Sequence, residues 1–294
     1  MGRNAAYYDV ENLGPKTITY YLLDSRTAML SGYKSGEFDF LDDFPTDRIA
    51  ELQASGDCYI NDYVGTYYIY LSCDNIPDWR VRAAIDLVID RENIVDNVTQ
   101  GGEVPATGLV AAGIGDSQGD NFATVSADPI APMWAWLQEK YGEKNDLDLN
   151  DYEDRVKLAK MLVEEAVSDG YDTTSTIYYR YNTSQTHQAI AEAVQEDVKS
   201  NLGLNLELYN TDWDGYVNDL FDSDFGVARL GWISDYNDPI IYLELFTNGN
   251  SYNYGNWVCD EFTDLINQAK NLPAGKERDV LLYQAEKVMF MGAN

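Results

Sequence analysis

From residue 152 onward the hydrophobic positions switch repeatedly between a helical and a strand period. Val156, Ala159, Leu162, Val163 and Ala166 fall on one helix face, and Asp169-Gly170 supplies a stop. Residues 175–181 are dense in Tyr, Thr and Ile and predict a strand. Ser184 can cap a following helix that carries Ile190, Ala191, Val194 and Val198 and closes at Leu202-Gly203. Strict alternation over 204–209 predicts a second strand. Thr211 or Asp212 caps a helix over 216–221, and 225–232 predicts a third strand. Amphipathic helices at 262–269 and 280–289 close the chain.

Strand, helix, strand, helix, strand at this spacing is a βαβαβ unit with a parallel sheet. Ligands of open parallel sheets bind beyond the carboxyl ends of the strands. Segments 182–187, 210–213 and 233–239 occupy that rim and are rich in Asn, Asp, Ser, Trp and Tyr. Upstream the pattern is less regular. Strands are expected at 16–23, 38–40 and 65–71, a short helix at 27–33 stopped by Gly36, and one helix over 80–98. Residues 101–150, rich in Gly, Pro, Asp and Asn, read as irregular with a short helix at 132–140.

Charge removes whole function classes. The 294 residues carry 50 acids against 20 bases, a formal net charge of −30, which repels nucleic acid and anionic lipid. The main reading of so many acids is a solvated surface. No apolar run approaches the roughly 20 residues that span a bilayer. Nothing like a secretory signal follows Met1, so an exported protein would have its targeting segment elsewhere. The single histidine rules out a multi-histidine metal site. Cys58, Cys73 and Cys259 form no Cys-x-x-Cys pair; one bridge plus a free thiol is open, and three isolated core thiols are expected.

One segment points to a family. Gly231-Trp232-Ile233-Ser234-Asp235-Tyr236-Asn237-Asp238-Pro239 resembles the Gly-Trp-x-x-Asp-Tyr-x-Asp/Glu-Pro segment of the family 5 extracellular solute-binding proteins, above all their oligopeptide-binding branch. Val81-Arg82 with Asp90-Arg91 and Ile94-Val95, the turn Tyr33 to Asp39, and Tyr181-Asn182-Thr183-Ser184 followed by His187 are similar in order and spacing. The resemblance implies a type II periplasmic-binding-protein-like α/β fold that closes two lobes over its ligand. Residues 1–64 would be a β-rich part of the first lobe and 65–294 most of the ligand-gripping lobe, with both ends shorter than in the family. It further implies a monomeric, extracytoplasmic receptor, periplasmic or lipid-anchored on the outer cell surface. Such a receptor hands oligopeptides to the permease subunits of an ABC importer, without cofactor or catalysis.

Candidate site residues carry two readings each. Asp235 matches the aspartate that holds the ligand's α-ammonium group in the family, a charge-assisted bond; otherwise it organises an Asx turn. Arg229 shares strand parity with Gly231 and by resemblance lies near the ligand, or else pairs with Asp222 or Asp224. Gly231 admits ligand backbone or relieves crowding. Trp213 and Trp232 can wall a pocket, although core packing serves Trp232 equally. His187 matches a ligand-contacting histidine or is a surface residue at a helix start. Tyr63 and Tyr68 match cleft-facing positions, while strand packing accounts for the cluster that includes Tyr67. Leu220 stands where some relatives have an arginine that meets the ligand's carboxylate. The alternatives are an oligosaccharide or metal-chelate binder on the same fold and, from another class, a carboxylate hydrolase using Asp222/Asp224 or Asp235/Asp238. Asp235 argues against the chelate branch. The absence of a Gly-x-Ser-x-Gly nucleophile, a phosphate loop or a metal-ligand cluster argues against an enzyme.

Overall fold

The computed structural model describes residues 1–125 and 131–291, so residues 126–130, within the stretch expected to be irregular, lie outside the described residues. The chain forms two units, Met1–Tyr59 and Ile60–Asn294.

In the first unit, α1 (Arg26–Ser35) starts where the Ser25 hydroxyl accepts a bond from Ala28 N–H. It ends at Gly36, whose φ of +79° suits a residue without Cβ. A second short helix, α2 (Ile49–Ser55), follows. The strands expected at 16–23 and 38–40 do not form. Among the described residues of this stretch an isolated bridge joins Gly2 and Thr17, and Leu22 is 95% exposed. Strand propensity needs a neighbouring strand and a face to bury, and the alternating side chains here find neither within the unit.

The second unit is built on a four-stranded sheet in the order β1-β4-β2-β3. The strands are β1 (Gly65–Leu71), β2 (Ile177–Asn182), β3 (Leu206–Thr211) and β4 (Val227–Ile233). β2 runs parallel to both β3 and β4, so the expected βαβαβ unit is present. β1 adds antiparallel to β4, with Gly65 opposite Ile233 and Leu71 opposite Val227.

Helices of this unit that come from the expected periodicities include α3 (Trp79–Val88), α4 (Tyr152–Ser168), α5 (Gln185–Leu202), α6 (Trp213–Phe221) and α7 (Asp260–Lys270). The helix expected at 280–289 is α8 (Lys276–Met291), which ends the described chain. Asp212 rather than Thr211 caps α6, its carboxylate accepting from Gly215 N–H at 2.8 Å. Ser184 sits at the N-cap of α5 without a side-chain cap bond. The helix expected over 80–98 breaks at Ile89, whose extended backbone (ψ 115°) leaves the helical region. Asp90 then caps a new turn by accepting from Asn93 N–H, and a wider turn over Ile94–Thr99 follows.

The connections β2→β3 and β3→β4 run in opposite directions across the sheet, which puts their helices on opposite faces. α5 packs Ile190, Val194 and Val198 with Tyr179 and Val227 on one face, beside α3 and α4. On the other face α6 packs Tyr216 and Leu220 with Tyr70, Ala228 and Leu230. A further core joins α7, α8 and the segment around Tyr242. The direction therefore reverses between β2 and β4, the place where doubly wound sheets open a crevice. The three cysteines are free and half-buried, not core thiols as expected.

Candidate functional site

Two side chains straddle the point between β2 and β4 where the direction of the strand connections reverses. Arg229 leaves β4 and is only 9% exposed, and its Nη2 donates to the Oδ1 of Asn182, the last residue of β2. The Arg229 Cζ lies 5.8 Å from the Tyr67 ring, 6.0 Å from Trp213 and 5.9 Å from Tyr216, within cation–π range of all three. The Tyr216 hydroxyl donates to the Arg229 carbonyl and so fixes the strand below it. The ion pair considered for Arg229 does not form. Asp224 is taken by Arg180 at 2.5 Å, and among the described residues Arg229 has no acidic partner. Its Nε is buried without a hydrogen bond among the described residues.

Register decides which aromatics join this cluster. Antiparallel pairing sets Tyr67 opposite Gly231 and Ile69 opposite Arg229, so Tyr67 shares the Arg229 face. The Tyr67 residue is 38% exposed, yet its hydroxyl end lies inward; burial pushes its pKa up to about 12, against the pull of the Arg229 charge. Beneath it Tyr179 is fully buried, and burial raises its pKa well above the ordinary phenol value. His187, the third residue of α5, brings its ring to 5.7 Å from Tyr67. Trp213, the first residue of α6, stays 52% exposed above Arg229.

The other predicted residues lie apart from this cluster or at its edge. Tyr68 projects to the opposite face, opposite Leu230, and packs against Tyr70 and Phe246 at 5.4 and 6.0 Å. Trp232 has the same parity as Tyr68 and packs edge-on against Tyr252 at 5.2 Å, so it takes its core-packing reading. Tyr63 precedes β1 and is 74% exposed. Leu220 is buried in the core between α6 and the sheet. At Gly231 a Cβ would meet Thr66 O at 3.5 Å, an ordinary contact, so crowding does not require glycine there.

Asp235 lies in the loop after β4. The turn is organised by its neighbours: Asp238 Oδ1 accepts from Ile240 N–H and from Arg278 Nη2, both at 2.9 Å, and the Ser234 hydroxyl donates to Tyr236 O. Asn237 Oδ1 accepts from Gly115 N–H. That leaves the exposed Asp235 carboxylate with no hydrogen bond or ion pair among the described residues. The acid pairs Asp222/Asp224 and Asp235/Asp238 are thus divided, since Asp224 and Asp238 are committed to arginines. No group of three or more metal-ligating residues occurs among the described residues.

Sequence reasoning marks Tyr67 only as strand packing and gives Asn182 no role within its rim segment. Tyr216 and Tyr179 stand unmarked inside predicted elements. Only Asn182 carries a usable signal, as the polar residue that ends a parallel strand.

A rim of this kind, on a sheet with a parallel core and one antiparallel edge strand, is where open α/β sheets bind their ligands. Residues 1–254 match the family of bacterial extracellular solute-binding proteins, family 5 Middle, and the chain belongs to that family. Among individual relatives it is 31% identical to the oligopeptide-binding protein OppA of Bacillus subtilis (strain 168), over 98% of this chain and 50% of that protein. It is 28% identical to the dipeptide-binding protein DppE of the same organism, with the same coverage. The solved OppA of Burkholderia pseudomallei superposes with a TM-score of 0.81 at 25% identity, over 99% of this chain and 54% of that one. The chain thus spans about half the length of the curated relatives it matches. The family and these relatives are solute-binding proteins, not enzymes, and the type II lobe architecture expected from the sequence is present. The family is extracellular by description, and no helix among the described residues is long and apolar enough to cross a membrane.

Proposed function

We propose that this chain is the main ligand-gripping part of a peptide receptor that serves an ABC importer outside the cytoplasm. Residues 65–294 form most of that lobe and residues 1–64 part of the first. Asp235 holds the peptide α-ammonium, Arg229 meets an anionic group of the ligand with His187 beside it, and Trp213 and Tyr67 cover the ligand's flank. Gly231 lets ligand backbone approach β4. The observation that carries the reading is one of charge: a buried guanidinium on β4 and an exposed carboxylate in the loop that follows it, neither ion-paired among the described residues, flank the sheet's switch point. A zwitterionic peptide supplies the complement of both, and its main chain is bound without regard to side-chain identity. The receptor then delivers its cargo, as a monomer, to permease subunits in the membrane.

Thermal unfolding with short free peptides, and with the same peptides N-acetylated, tests this. A ligand of the native state alone raises the midpoint with its affinity. Free peptides should raise it and acetylated ones should not, and Asp235→Asn should erase the difference. A response that ignores acetylation would remove Asp235 from the ammonium role. An oligosaccharide stacked on the exposed Trp213 is the second reading, and its binding should survive Asp235→Asn.

A further inference from the structure

Away from the sheet and its rim, three aromatic rings converge on one lysine. Lys140 Nζ stands 4.8 Å from the centroid of the Trp136 ring, 4.8 Å from that of Tyr141 and 5.4 Å from that of Trp79, within cation–π range of all three. Trp136 belongs to the short helix Ala131–Leu137, and Tyr141 to the wider turn Gln138–Gly142 that continues it. The i→i+5 spacing of that turn brings Tyr141 round toward the side of Trp136, where an α-helix would carry it away. Trp79 opens α3, and its indole meets that of Trp136 at 5.5 Å and 57°, so the two rings form walls at an angle and not a flat stack. Each wall is steadied by contacts of its own element. The Asp78 carboxylate accepts from Arg80 N–H at the start of α3, and the Tyr141 hydroxyl donates to Glu165 on α4 at 3.0 Å. The Gln138 amide donates to Leu147 O and accepts from Leu149 N–H. Burial raises the Tyr141 pKa, and the Lys140 charge beside it works against that rise. The rings are half-buried while Lys140 is exposed, so the cation stands at the mouth of the enclosure on a flexible stem.

A lysine makes poor use of three rings. Its ammonium keeps three N–H donors and is strongly hydrated, so aromatic faces replace its water badly. A quaternary ammonium has no N–H to hydrate and presents methyl groups that pack on aromatic faces, which is how aromatic cages bind choline and methylated lysine. Glu165 at the edge of the enclosure and the chain's net charge of −30 both draw cations toward it. We propose that Trp79, Trp136 and Tyr141 form a second ligand site of this chain, a cage for quaternary ammonium groups of the choline type, which Lys140 fills until such a ligand displaces it. This site is independent of the peptide-receptor reading, and either stands if the other fails.

Titration calorimetry with choline chloride tests this on wild type, Lys140→Ala and Trp136→Leu. Sodium chloride is lowered in step, so that ionic strength stays fixed and general screening of the acids cancels. Wild type should bind choline saturably, and Lys140→Ala about fivefold more tightly, since the resident cation no longer competes. Trp136→Leu should lose saturable binding. Ethanolamine, which keeps its N–H groups, and dimethylbutanol, the uncharged carbon analogue of choline, should each bind Lys140→Ala about fivefold more weakly than choline does. A merely structural clamp would lower the unfolding midpoint of Lys140→Ala with no gain in choline affinity, and that result overturns the proposal. So does a wild type that binds no choline, or choline binding that a folded Trp136→Leu retains. Equal binding of choline and its uncharged analogue overturns it as well, a comparison that needs no aromatic variant to fold. Sedimentation with phosphatidylcholine vesicles separates the two sources of the group. Lys140→Ala that pellets with vesicles and is released by free choline takes a lipid headgroup; one that binds choline yet stays in the supernatant takes a soluble ligand.

Discussion

Asp197 is an acid that folding places badly. It is half-buried on α5, its Oδ2 accepts from Asp90 N–H at 3.1 Å, and burial raises its pKa, with the nearby Asp90 and Glu196 charges adding to the rise. A raised carboxyl pKa means that the native state binds this proton more tightly than the unfolded chain. The stabilisation is therefore full below the ordinary aspartate range and is lost as pH rises through the native value. An asparagine in place of the acid would keep an acceptor for Asp90 N–H and shed the charge. Asp197→Asn should raise the thermal midpoint at pH 7 by on the order of 1–3 °C, with the gain shrinking as pH falls toward 4. Midpoints of both proteins across that range check it, and equal values at pH 7 would show that water, not burial, governs this carboxylate. Asp235, by contrast, has an exposed carboxylate that no hydrogen bond or ion pair uses among the described residues, as its place in the proposed site requires.

At the scale of elements, α8 braces the loop that carries Asp235. Arg278 Nη2 reaches Asp238 at 2.9 Å. Asp279 accepts from Ser117 through its amide and hydroxyl, and Glu286 Oε1 accepts from both Leu109 and Val110 N–H at 2.9 Å. Gly115, within the segment these bonds pin, donates in turn to Asn237. The acidic position of the family-like motif, Asp238, thus works through a helix that follows it in sequence. Arg278→Ala leaves a partly buried carboxylate without its cation and should cost roughly 1–3 kcal/mol by urea unfolding, with an unchanged m-value. Adding Asp238→Asn should recover part of that loss, because the charge that needed a partner is gone. A single variant as stable as wild type would mean that the pair adds nothing and that Asn237–Gly115 holds the loop alone.

The whole molecule is a polyanion of formal net charge −30. Self-repulsion of that size opposes the compact state more than the expanded one, and salt weakens it as the Debye length falls from about 10 Å at 0.1 M to about 3 Å at 1 M. Raising sodium chloride from about 0.05 to about 1 M should therefore raise the unfolding midpoint by on the order of 5 °C, and potassium chloride should do the same. Scanning calorimetry at fixed pH reads this directly; a flat or falling midpoint would show that the acids are already solvated far enough apart to ignore one another.

Local periodicity and chain chemistry were enough to locate β1, β2, β3 and β4, the helices between them and the rim segments, because each burial pattern is written into consecutive residues. They also placed Arg229 and Gly231 on one face, since strand parity is a local property. Pairing is not local. That β1 joins β4 in the register that brings Tyr67, not Tyr68, to Arg229 depends on strands far apart in the chain. The strands expected in the first unit failed for the same reason, having no neighbour to complete their hydrogen bonds. The sequence by itself determined which segments could bury a face and which side chains could carry charge. Only the tertiary structure decided that Arg229 would be met by Asn182 rather than by an acid among the described residues, because a charge's partner is chosen by what the fold sets beside it.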